Sequence, residues 1–179
     1  MIPRLAKSEF VGDLTLEQLH EKMVAHGEYC FSMKGEAPFL WMIWDGSHLL
    51  WIETLWEDDR EKAISVEFIK RLLRVSNARM YSFMSEMWMK SLTKEEAKGY
   101  DRAKDRRSVS EMPGRDDVLM IYSHSIDGGF IGTRYKVTIR RPIGPNFLGP
   151  RDDETMRSYA HAEGRVFDLF KQMGMGVPA

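Results

Sequence analysis

Glu86 sits in the run Met80-Tyr81-Ser82-Phe83-Met84-Ser85-Glu86-Met87-Trp88-Met89, where strand alternation places it with Met84 and Trp88. A carboxyl group among apolar neighbours keeps its proton to higher pH, which is what a general acid needs. The plainer reading is a strand-end carboxylate, exposed or paired with a base. His124 shares a face with Val118, Met120 and Tyr122 near one turn, and His48 lies beside another. One Glu and one or two His compose an acid/base site if folding brings them together. Otherwise these are histidines at partly exposed turn positions.

Other chemistries find less footing. There is no His-Glu-x-x-His and no paired cysteine, so no metal and no cofactor is expected. Cys30 carries no nucleophile signature, and no Gly-x-Ser-x-Gly elbow occurs. Gly128-Gly129-Phe130-Ile131-Gly132 is glycine-rich, but it falls in a hairpin and not in the strand-to-helix turn that cradles phosphate. Arg134, Lys136 and Arg140, with Arg141 beside them, alternate along one strand. Side chains two apart project about 6–7 Å from one another, so they can line a cationic strip that meets phosphates. The competing reading is a solvated outer face.

Two hairpins must position these groups. Phe39 to Trp44 and His48 to Trp56 flank an Asp45-Gly46 turn, a strong hairpin signal because glycine reaches positive φ freely. Both faces of the first strand are apolar. Val118 to Ile126 and Phe130 to Arg141 flank Asp127-Gly128-Gly129, and the second of these strands alternates cleanly as a half-exposed strand does. Thr15-x-x-Gln18 is a capping box, predicting a helix over about 15–26 that stops before Gly27. Residues 29–33 suit a short edge strand. Glu57-Asp58-Asp59 caps a helix over 58–75 with Ile64, Phe68, Ile69, Leu72 and Leu73 inward. Residues 79–89 read as a central strand, with a parallel pairing to the first hairpin open to it. A charged surface segment spans 90–116, and Pro142, Pro145 and Pro150 make an extended loop. A last helix covers 153–171, with a frayed tail over 172–179.

The fold expected is therefore α+β: one domain over 1–179, with a five-stranded, mostly antiparallel or mixed sheet and its helices on one face. The order is α, two strands, α, strand, charged segment, two strands, α. The 179 residues suit a single core. A net charge of −1, from 26 basic and 27 acidic residues, argues against a protein dominated by nucleic-acid or membrane electrostatics. One cysteine and no apolar leader point to the cytoplasm, and the longest apolar runs fall far short of the ~20 residues of a membrane helix.

Thirteen Met and five Trp are many for this length. Met fills core gaps and also equips adaptable surfaces. With helices on one sheet face only, Trp41, Trp51 and Trp56 are expected at or beside an interface with a protein partner or a second copy.

Asp45-Gly46 between apolar strands, Ser85-Glu86-Met87-Trp88, and Arg115-Asp116-Asp117-Val118-Leu119 resemble patterns in a group of small uncharacterised bacterial and phage proteins. The resemblance covers 39–141 and implies a bacterial or phage origin and one continuous domain, with no catalytic residues. The function expected is a non-enzymatic binding or regulatory protein acting through protein–protein contact, such as an inhibitor or effector. The alternatives are nucleic-acid binding through the basic strand face and an enzyme built on Glu86 with His124 or His48.

Overall fold

The computed structural model describes residues 3–89, 98, 112–138, 146–153 and 168–175. In chain order the elements are β1 (Arg4–Phe10), α1 (Leu16–Lys34), β2 (Phe39–Trp44), β3 (His48–Thr54), α2 (Asp59–Val75), β4 (Met80–Met89), β5 (Asp116–Ser125), β6 (Phe130–Thr138), β7 (Phe147–Asp152) and α3 (Leu169–Gln172). The class is α+β as expected, but the sheet has seven strands, ordered β1-β3-β2-β4-β5-β6-β7. Every pairing is antiparallel. The expected five strands omit β1, which adds beside β3, and β7, which adds beside β6 from within the anticipated loop.

Both hairpin turns form where the Asp-Gly pairs lie. Gly46 has φ 113° and Gly128 φ 91°. The Asp45 carboxylate accepts from the Ser47 and His48 N–H groups at 2.9 and 2.7 Å, fixing the turn. β4 is the central strand, paired with β2 on one side and β5 on the other. Because β2 lies between β3 and β4, the β3–α2–β4 connection crosses over one strand, and no parallel pair forms.

Side-chain alternation gives the sheet two apolar faces, and each has its own helix. On one face Leu40, Met42, Met84, Leu119 and Ile121 pack against Leu19, Met23, Val24 and Phe31 of α1. On the other, Trp41, Ile43, Tyr81, Phe83 and Tyr122 pack against Val66, Ile69 and Leu73 of α2, with Leu169 and Phe170 of α3. The expected placement of helices on one face is thereby corrected: the chain is a three-layer sandwich, and both faces of β2 are buried within it.

The helix boundaries follow local physics. The capping box forms reciprocally, with the Gln18 N–H donating to Thr15 Oγ1 at 3.2 Å and the Thr15 N–H to Gln18 Oε1 at 2.9 Å. α1 does not stop at Gly27. It runs through the expected 29–33 strand to Gly35, whose φ of 70° and N–H bond to the Phe31 carbonyl close it. In α2 the buried stripe is Ser65, Val66, Ile69 and Leu73, narrower than expected, so Ile64 and Phe68 face solvent.

The expected charged segment, apart from 98 and 112–116, lies outside the described residues, as do Arg140, Arg141 and most of the expected last helix. Of the expected frayed tail, Met173 and Met175 pack against the α2-side core. Among the described residues no helix is long and apolar enough to cross a membrane.

Candidate functional site

Strand alternation separates the expected acid/base residues. Glu86 lies on the α1 face opposite Leu119, and His124 lies on the α2 face opposite Tyr81. Five positions along β4 add about 17 Å to that separation. His48 sits at the hairpin end, three strands or about 14 Å from His124. The three do not form one site.

Each instead has a local role. Glu86 Oε1 accepts from the Ala37 N–H at 2.7 Å, tying β4 to the loop that follows α1. His124 is buried, stacked on Tyr81 and tilted against Phe130. Its Nε2 accepts from the Asp168 N–H at 3.4 Å, while Tyr81 Oη accepts from the Leu169 N–H at 2.9 Å. Two ring groups thus hold the start of α3. Burial pushes the His124 pKa down to about 4 against the opposing pull of Asp168, so the imidazole is neutral, as an acceptor nitrogen requires. His48 is exposed, and its Nδ1 lies 2.9 Å from Ser47 Oγ.

The three tryptophans are occupied inside the chain. Trp41 is fully buried, 4.1 Å from Phe83 between ring centroids, and its indole N–H donates to Thr54 Oγ1 at 3.1 Å. Half-buried Trp51 donates to Glu9 at 3.1 Å, lies under the Lys7 ammonium, and meets the His26 ring edge-on. Trp56 packs on Phe39 with Lys62 above it. On the basic strip, Arg134 is paired with Asp152 at 2.5 Å and Lys136 with Asp116 at 2.5 Å.

A polar chain that sequence reasoning missed runs beneath α1. His20 is buried with Nδ1 2.9 Å from Ser123 Oγ and Nε2 2.9 Å from Thr133 Oγ1. Ser123 and Ser82 hydroxyl oxygens lie 2.8 Å apart. The Thr133 hydroxyl donates to Asp153, which Arg151 grips at 2.9 and 3.0 Å while also holding Glu21. Because Asp153 can only accept, Thr133 takes its other bond from the His20 Nε2–H, which leaves Nδ1 as the unprotonated nitrogen facing Ser123 Oγ. Burial drives the His20 pKa down to about 4, which keeps this single-proton arrangement. A hydroxyl, an imidazole and a carboxylate in series are the parts of a nucleophilic relay. Here Ser82, Ser123 and Thr133 are fully buried, so a substrate carbonyl cannot reach them. The chain is a satisfied polar core. Its signal was His20 itself, which occupies an inward position of the Leu16, Leu19, Met23 stripe.

A cleft of about 1110 Å³ opens between the second half of α1, the loop after it and the starts of β1 and β2 with the end of β3. Its rim carries Tyr29, Met33 and Leu55, which are 60%, 67% and 43% exposed. Arg4, Lys34, Glu36 and Glu53 supply both signs of charge, and Arg4 bonds Glu53 at 2.6 Å. On one wall Cys30 Sγ lies 3.5 Å from His26 Nε2. Burial raises the Cys30 pKa and lowers that of His26, so the pair is a neutral thiol beside a neutral imidazole. Among the described residues no group of three or more His, Cys, Asp or Glu is placed to hold a metal. No protein-family model, curated protein or solved structure matches the chain.

Proposed function

We propose that this chain is a non-enzymatic binding or regulatory protein of bacterial or phage origin, an inhibitor or effector that acts by docking a protein partner in the α1–β3 cleft. The observation that carries this reading is the cleft's rim. Tyr29, Met33 and Leu55 expose apolar side chains around one concavity, and aromatic and Met side chains are enriched where proteins meet. The cleft, about 1110 Å³ in volume, has room for a projecting segment of another protein. The separation of Glu86 from both histidines argues against the one acid/base pairing that the enzyme alternative rests on. The ion pairs of Arg134 and Lys136 weaken the phosphate-binding alternative.

The test compares wild type with the Tyr29→Ser/Leu55→Ser variant, both checked by circular dichroism. Each is immobilised and exposed to the same bacterial lysate, with quantitative mass spectrometry of what is retained. A stoichiometric partner held by wild type and released by the variant is expected. Equal retention by both moves the contact away from the cleft. Light scattering on the purified chain provides the second arm: a dimer that dissociates in the variant assigns the cleft to a second copy.

A further inference from the structure

We propose that His26, Cys30 and Met33 form a binding site for a soft monovalent metal ion, Cu(I), on the α1 wall of the cleft. The three residues stand at i, i+4 and i+7 of α1 and all line the same cavity, so they share one helical stripe. They offer an imidazole, a thiol and a thioether, the soft donor set that selects Cu(I) over harder ions. The first two donors are already placed. Bonds of the length found for zinc, about 2.3 Å to sulfur and about 2.0–2.1 Å to nitrogen, would span the observed 3.5 Å between Cys30 Sγ and His26 Nε2 at an angle of about 107°. Met33, 67% exposed, lines the same cleft one turn further along α1 and would supply the third, thioether donor.

Ligation uses the imidazole lone pair, and the thiol must lose its proton as the ion arrives. The step is balanced: Cu(I) and Cys30 S–H give a Cu–S bond and one proton released to solvent, with no change of oxidation state. The charges facing the pair are Glu53 from β3, which acts on both groups, Lys34 from α1, which acts on Cys30, and Arg4 from β1, which neutralises Glu53. Glu36 lines the same cleft. The site goes beyond the docking of a protein partner, and its test uses the purified chain alone.

The experiment titrates Cu(I), kept reduced and competing with a chromophoric chelator, into wild type, His26→Ala, Met33→Leu and Cys30→Ser. One ion per chain is expected, with apparent affinity rising about tenfold per pH unit below the thiol pKa because one proton leaves. Trp51 emission reports binding, since its ring lies 5.1 Å from that of His26. His26→Ala should weaken binding at least tenfold, Met33→Leu severalfold, and Cys30→Ser should abolish it. Should His26→Ala fail to fold, the imidazole 15N resonances of wild type serve instead: Nε2 of His26 shifts at one equivalent if the site is real. The proposal is overturned by binding that neither His26→Ala nor Met33→Leu weakens, by an unmoved Nε2 resonance, by absence of saturable binding, or by Zn(II) binding more tightly than Cu(I).

Discussion

A Cβ placed on Gly27 would fall 2.8 Å from the Met84 sulfur, with Ile121 Cδ1 and Leu119 Cδ2 at 3.3 Å. α1 therefore crosses the sheet at a point where its backbone rests directly on side chains of the two central strands. Alanine here gains about 1 kcal/mol of helix propensity and loses a comparable or larger amount to displacement of a fully buried Met84, since overpacking costs about 1–3 kcal/mol. Gly27→Ala is expected to be near neutral or mildly destabilising. Gly27→Val should destabilise clearly, and urea unfolding of the two variants measures the contrast.

His20 and His124 make stability fall in mild acid. The unfolded chain takes up protons at these rings near the ordinary value of 6.5, whereas the folded chain does so only near about 4. Stability is thus fully present above about pH 6.5 and declines as pH falls through the window from there to about 4, by up to roughly 3 kcal/mol per ring. Denaturant unfolding at stepped pH should show this slope. His20→Gln and His124→Gln should each flatten part of it, whatever they do to stability at neutral pH.

Among the described residues, Thr133 is the hydroxyl that joins His20 to Asp153. Thr133→Val keeps the shape but leaves the imidazole N–H without an acceptor, which costs about 1–3 kcal/mol in a buried site. Thr133→Ser restores the hydroxyl and should recover most of the loss. A melting temperature for Thr133→Val equal to wild type would remove the linking role.

Glu86 is expected to matter for the cleft and not for turnover. Its carboxylate holds the Ala37 N–H in the loop that forms one cleft wall. Glu86→Gln keeps an acceptor oxygen and should shift stability by less than about 1 kcal/mol, while Glu86→Ala leaves a part-buried donor unmade at a cost of about 1–3 kcal/mol. Hydrogen exchange at the Ala37 amide separates the two: it should accelerate in Glu86→Ala and change little in Glu86→Gln.

What could be read from the sequence was what local chemistry decides. Asp45-Gly46 and Asp127-Gly128 announce their turns because the backbone there needs positive φ. β4 and α2 carry their own apolar periodicity. β1 and β7 escaped because edge strands need no apolar alternation: Arg4–Phe10 is almost wholly exposed, and Phe147–Asp152 contains Gly149 and Pro150, which an edge tolerates. Gly27 reads as a helix stop when its neighbours are sequence neighbours, and as a helix–sheet contact once Met84 is beneath it. The polar chain was hidden for a related reason. Its bonds join residues 103 and 113 positions apart, so no spacing could show that His20, an odd residue in an apolar stripe, meets hydroxyls placed to satisfy it. The cleft likewise belongs to the packing of α1 beside β3 and has no motif of its own.

The place of β4 in the sheet sets an order on synthesis. On its left lie β1, β3 and β2, all made before it, and on its right β5, β6 and β7, all made after. A nascent chain that has emerged only through α2 presents β2 with one rim unmatched and its Trp41 face without the Tyr81 and Phe83 that cover it. Such a rim is an invitation to foreign strands, and the interval lasts until the fourteen residues from Ser76 to Met89 leave the ribosome. Chaperone occupancy on translating ribosomes should therefore peak in that interval and drop once Met80–Met89 has emerged.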